Sequence, residues 1–167
     1  MKKDLQPVFA EFGACVQVAQ VLEYGLSLLI IFAAKQKGGK FEPKPISAMD
    51  SKEADQTLGE LFSVARTKEY FTDAEVKMVF RAIRERNTLV HRYMVDKVEE
   101  LLNPEGRARL IKDIQERRKV LETANEIVES LINRYLEEHG TNMEALKEQV
   151  ESFYDEDSKD SGWSSYH

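Results

Sequence analysis

The chain has 167 residues, of which 42% are hydrophobic and 32% charged, with a formal net charge of −6. That length suits one globular domain with a sizeable core, and the acidic balance argues against indiscriminate nucleic-acid binding. The single Cys15 excludes an internal disulfide and any cysteine-based zinc site, so a reducing, cytoplasmic compartment is expected.

Only four Pro and eight Gly interrupt the chain, and long runs of good helix formers lie between them. The opening Met1-Lys2-Lys3-Asp4 is not followed by a short apolar core and small-residue cleavage site. The most apolar run, Gly25 to Ala34, is ten residues, short of the roughly 20 that a membrane helix needs. No membrane span is therefore expected, and this run reads as part of a buried core helix.

In chain order, a first helix is predicted from about Leu5 to Lys37. Its stripe is Leu5, Val8, Phe9, Phe12, Val16, Ala19, Leu22, Leu26, Leu29, Ile30 and Ala33, in steps of three and four. Gly38-Gly39 stops it, and a loop with Pro43 and Pro45 follows over 38–50. A second helix, about Ser51 to Thr67, carries Leu58, Leu61, Phe62 and Ala65.

A third helix opens on the capping box Thr72-Asp73-Ala74-Glu75 and runs to about Leu102. Its row is Val76, Val79, Phe80, Ile83, Val90, Met94 and Val98. Asn103 as cap and Pro104 in the first turn start a fourth helix that reaches about His139. Its seam is Leu110, Ile114, Leu121, Ala124, Val128, Leu131 and Tyr135. Gly140 ends it. Thr141 and Glu144 would then cap a short fifth helix with Leu146, Val150 and Phe153. The pattern predicts an all-α, up-and-down four-helix bundle over 1–154 with a short fifth C-terminal helix, then an acidic, Ser/Gly-rich flexible tail over 155–167.

Charge is uneven. Residues 81–97 hold Arg81, Arg84, Arg86, Arg92 and Lys97 against Glu85 and Asp96, while 137–157 hold eight acids against Lys147. The basic stretch also contains the polar group that most needs a reason. Seven-residue steps from Phe80 reach Asn87 and then Met94, which places Asn87 on an apolar stripe. His91 lies one turn on, and Arg86 and Tyr93 are two turns apart. Arg86, Asn87, His91 and Tyr93 are expected to border one patch at the edge of the core. Glu23, beside the first helix's stripe, is the expected partner for Arg86 or His91, because an unpaired buried polar group costs roughly 1–3 kcal/mol.

The run Arg86-Asn87-Thr88-Leu89-Val90-His91-Arg92-Tyr93 resembles the Arg-x(4–6)-His signature of the HEPN superfamily. Asn after Arg and Tyr two after His match the Arg-x4-His-x-Tyr form of HEPN toxins paired with minimal nucleotidyltransferase antitoxins. Those two positions lower the chance match by about three orders of magnitude relative to the Arg–His pair alone. The close match covers 86–96; the loop 38–50 and the acidic C-terminal end depart from it.

The resemblance implies an α-helical bundle and metal-independent RNA cleavage, in which the 2′-hydroxyl attacks the adjacent phosphate and leaves a cyclic phosphate. In that chemistry His91 moves the proton, Arg86 holds phosphate oxygens, and Asn87 orients the phosphate or the imidazole. Arg84 and Arg92 bind flanking phosphates, and Tyr93 is the residue that an antitoxin would nucleotidylate. It further implies a homodimer, an RNA substrate, an antitoxin-type protein partner, and a toxin or phage-defence setting.

Other readings stay open. A HEPN-like bundle that binds a protein, nucleotide or nucleic-acid partner without cleavage carries the same residues, as does a purely structural helical oligomer. Asn87 and His91 read equally as satisfied polar core groups. Cys15 reads as a small core residue, His139 as a cation at a helix C-terminus, and Glu116-Arg117-Arg118-Lys119 as a solvated helix face. No glycine-rich phosphate loop, metal-ligand cluster or nucleophile motif is present, so no cofactor or metal is expected.

Overall fold

The structure is a computed structural model that describes residues 5–36 and 71–145. The loop expected at 38–50, the helix at 51–67 and all expectations beyond residue 145 lie outside the described residues.

All regular structure among the described residues is α-helical. The elements are α1 (Gln6–Gln36), α2 (Asp73–His91), two one-turn helices α3 (Tyr93–Asp96) and α4 (Val98–Leu101), and α5 (Pro104–Glu138). The chain divides into two compact units, one ending at Glu129 and one beginning at Ser130, with α5 running through both.

In the first unit, α1 buries Val8, Cys15, Ala19, Leu22, Leu26 and Leu29. α2 buries Val76, Val79, Ala82, Ile83 and Leu89, and α5 buries Leu110, Ile114, Leu121, Ala124 and Val128. Each large aliphatic side chain taken fully out of water stabilises by about 1.5–3 kcal/mol. Polar ties set the register. Glu11 of α1 accepts from Gln115 Nε2 at 3.2 Å and Arg118 Nη1 at 3.0 Å, and Asn125 Nδ2 donates to the Val18 carbonyl at 3.2 Å. These pairs make α1 and α5 parallel. Glu23 with Arg86, and Phe12 with Tyr93, make α2 and its continuation antiparallel to α1.

Caps follow local chemistry. Thr72 N donates to Glu75 Oε2 at 2.7 Å and Glu75 N donates to Thr72 Oγ1 at 3.3 Å, the reciprocal box read from the sequence. Asn103 Oδ1 accepts from Gly106 N at 2.7 Å and starts α5. Gly106 lets the preceding turn fold close: a Cβ there would lie 2.2 Å from the Glu100 carbonyl oxygen.

Several expectations are corrected. The third helix does not run on to Leu102. It ends at His91, where Arg92 takes φ −136° and ψ −28°, and the chain breaks again at Lys97. Thr88 Oγ1 donates to the Arg84 carbonyl at 3.0 Å in the last turn, a competing bond that bends helices. The row of α2 is also rotated. Val90 and Val98 are exposed, Phe80 and Met94 are half-buried, and Arg86 occupies the inward position assigned to Asn87. In α1, Phe9 lies half outside the stripe. Arg117 and Arg118 are partly buried and ion-paired rather than part of a solvated face.

The apolar stretch of α1 is longer than its ten-residue apolar run suggested. Among the described residues, Gln6–Leu29 is the one helical segment long and apolar enough to cross a membrane by length and composition, with mean hydropathy 1.3 and 39% of that stretch buried in the fold. Its two acids, Glu11 and Glu23, both turn to arginines of the other helices.

The second unit contains the end of α5. Leu131, Ile132 and Leu136 are buried. His139 stacks on Tyr135 at 4.1 Å between ring centroids, and Gly140 takes φ +60° as Thr141 N donates back to the Leu136 carbonyl at 3.0 Å. The next cap is Asn142, whose Oδ1 accepts from Ala145 N at 2.9 Å, rather than Thr141.

Candidate functional site

α2 places four of the seven candidate residues within two turns. Arg86 points inward and is 9% exposed. One of its terminal nitrogens donates to Glu23 of α1, and the other donates to Asn87 Oδ1 at 2.9 Å. The expected Glu23 partnership is thus formed, with Arg86 and not with His91. The carboxylate compensates a guanidinium that would be costly to desolvate alone, and Leu22, Leu26 and Ile83 complete a shallow depression around the pair.

Asn87 is half-buried, and His91, one turn later, is exposed to solvent. Asn87 accepts from the buried Arg86 and lies one turn before the exposed imidazole. Arg84 is also exposed, two turns from His91 on the same side of α2, with Lys77 and Arg81 further along it. Arg92 is exposed as well; its Nε lies 3.6 Å from Asp96 Oδ2, and its side chain retains 75% exposure. That surface pair is weak, so the guanidinium stays available.

Tyr93 does not join this surface. The break at Arg92 turns it into the core, where it is 2% exposed. Its ring stacks on Phe12 at 6.2 Å and lies under Arg117, whose Cζ is 5.1 Å from the ring centroid. The hydroxyl is buried near the Asp113 carboxylate and makes no well-formed hydrogen bond among the described residues. Burial, followed by the nearby Asp113 carboxylate, pushes its ionisation well above the usual tyrosine range. The expectation that Tyr93 borders the same patch as His91 is corrected: two residues apart across a helix break, they face core and solvent.

A comparison with known protein families, with curated proteins and with solved structures finds no match for this chain.

Sequence reasoning missed a second network on the inner side of α2. Arg117 of α5 pairs with Glu85, and its Nε donates to Asp113 Oδ2 at 3.2 Å. The Asp113–Arg117 spacing of four was the one available signal; Glu85 is distant in sequence. This network ties α2 to α5 beside the Tyr93 ring. Among the described residues no group of three or more His, Cys, Asp or Glu is arranged to hold a metal ion.

Chemically, the outer face combines one imidazole with several cations. It can bind phosphates and move a proton. The inner face ties α2 to its neighbours, because Arg86 pairs with Glu23 of α1 and Glu85 pairs with Arg117 of α5.

Proposed function

We propose that the chain is a HEPN-like, metal-independent endoribonuclease acting as a cytoplasmic homodimer in a toxin or phage-defence setting. The observation that carries the reading is the exposed His91, one turn beyond an Asn87 held by the Arg86–Glu23 pair. His91 takes the proton from the 2′-hydroxyl or gives one to the leaving oxygen, and one imidazole cannot do both simultaneously. A second copy supplies the other. Arg84 and Arg92, both exposed, hold flanking phosphates. Arg86, 9% exposed and donating to both Glu23 and Asn87, holds phosphate oxygens in this reading only with a donor beyond those two bonds. RNA is the substrate of this reading, and an antitoxin-type protein is its regulatory partner.

For the fold, the proposal is a helical bundle with an up-and-down core of α1, α2 and α5, whose directions alternate. A four-helix up-and-down bundle with its second helix over 51–67 would instead set α1 and α2 parallel. The apolar α1 is read as the core helix of a soluble protein, because both its acids are tied to the other helices.

The burial of Arg86 favours a second reading, a HEPN-like bundle that binds a protein, nucleotide or nucleic-acid partner without cleavage. A guanidinium 9% exposed and paired with Glu23 serves stability whether or not RNA is cut. Incubation of RNA with the full chain in EDTA separates the two. The nuclease reading expects fragments ending in 2′,3′-cyclic phosphate. Intact RNA at micromolar dimer concentration selects the binding module.

A further inference from the structure

The side of α2 opposite the buried Arg86 carries a single line of cations. Lys77, Arg81, Arg84 and His91 follow one another at steps of four, three and seven residues, and all four are exposed. Those steps keep them on one side of the helix over about 21 Å of its length. Thr88 fills the gap before His91, and Arg92 stands exposed just past the end of the line. The one acid on it is Asp73 in the first turn, beyond Lys77. Glu85 is drawn inward to Arg117.

Two observations set this line apart from ordinary surface charge. The side chains of Lys77, Arg81 and Arg84 make no hydrogen bond or ion pair among the described residues. On α5, by contrast, Arg117 and Arg118 are each paired both along their own helix and across to another. Like charges one turn apart also repel and weaken a helix. A chain with 30 acids against 24 Lys and Arg has acids enough to interleave here, yet none stands between Lys77 and His91 on the line.

We infer that Lys77, Arg81 and Arg84 form a phosphate track, which holds successive phosphates of one RNA strand on one side of the bond that His91 addresses. Charge complementarity names the occupant. A phosphodiester backbone carries charge at every step, as the line does at nearly every turn, and a guanidinium forks onto phosphate oxygens. No aromatic side chain stands among these residues, so the track gives bases nothing to stack on and grips the backbone without regard to sequence. The acidic remainder of the surface repels the same strand and confines it to this side. The inference deepens the proposed reading, on which it rests for the choice of RNA; it extends the contact of Arg84 through Arg81 to Lys77, about two turns further from the imidazole.

The test measures binding apart from cleavage. It uses the full chain and a fluorescein-labelled, single-stranded 2′-O-methyl RNA of about 12 nucleotides, whose blocked 2′-oxygens cannot attack. In anisotropy titrations over a salt series, Lys77→Gln, Arg81→Gln and Arg84→Gln are each expected to lower the slope of log K against log salt by about 0.7, and the triple variant to raise the dissociation constant at least about tenfold at low salt. Lys119→Gln, an exposed cation of α5, is expected to leave both unchanged. Tm should hold in every variant, because the substituted side chains are exposed. A triple variant with wild-type affinity and slope, a Lys119→Gln effect as large as that of Arg81→Gln, or displacement of the strand by poly-glutamate at equal charge concentration overturns the inference. Ordinary RNA is followed in parallel. Binding that depends on the track without any cleavage upholds the inference and removes the nuclease, whereas cleavage by the triple variant with the wild-type kcat and KM does the reverse.

Discussion

The Arg86 guanidinium of α2 donates to the Glu23 carboxylate of α1, with side-chain exposures of 11% and 18%. Removing one partner strands the other out of water. Glu23→Ala should destabilise by about 3 kcal/mol, whereas Glu23→Leu/Arg86→Met should return to within about 1 kcal/mol of the wild type. Urea denaturation of the two variants checks this. A double variant as unstable as the single one would mean that the pair is not the relevant contact. Because the double variant stays folded, it also isolates the role of Arg86 in any RNA cleavage from its role in stability.

Tyr93 is a buried ring whose hydroxyl makes no well-formed hydrogen bond among the described residues. Tyr93→Phe should be neutral to slightly stabilising, because it removes a polar atom to which folding gives no well-formed hydrogen bond. Tyr93→Ala should cost about 3–5 kcal/mol through loss of the contacts with Phe12 and Arg117. Thermal unfolding of both separates these outcomes; a Phe variant as damaged as the Ala variant would show that the hydroxyl is paired in solution.

Gly106 holds the Glu100 carbonyl at a distance that no side chain permits. Gly106→Ala should cost about 2 kcal/mol, since the obstacle is backbone and cannot rotate away. The equivalent change at Gly13, where nothing lies within 4 Å, should leave the stability of an isolated protomer unchanged or raised. Denaturation of both variants at low protein concentration makes the comparison.

Some of this was legible and some was not. The caps at Thr72 and Asn103 were readable because each is a bond between residues three apart, decided by local chemistry alone. The break at Arg92 was not, since no Pro or Gly marks it. The stripe of α2 was misplaced by one residue for a related reason. Sequence patterning puts an arginine outside, and only a carboxylate sixty-three positions earlier makes Arg86 an inward residue. Arg117 and Arg118 were read as solvated by the same rule, yet Glu85 and Glu11 draw them in. Within the candidate site, Glu23 was foreseen because it sat beside an apolar stripe, while the fate of Tyr93 depended on the unforeseen break.

Burial pushes the Cys15 thiol from an ordinary 9.0 up to about 11, against smaller effects of Arg118 and Arg117. Between those two values the unfolded chain has lost the proton and the folded chain has kept it. Stability should therefore fall as pH rises through that window and level off above it. Denaturation midpoints of wild type and Cys15→Ala from pH 8 to 11 test this; the variant should show the shallower decline. Equal slopes would assign the decline to other groups, Tyr93 first.

The central claim is that an exposed imidazole, and not a buried one, does the chemistry. The direct measurement is single-turnover RNA cleavage in EDTA by wild type and His91→Ala, with Tm recorded for both. Because His91 is exposed, the substitution should shift stability by no more than about 0.5 kcal/mol, while cleavage falls about a hundredfold or more. Cleavage by His91→Ala at the wild-type rate, or a loss of rate matched by a loss of folded protein, would contradict the account.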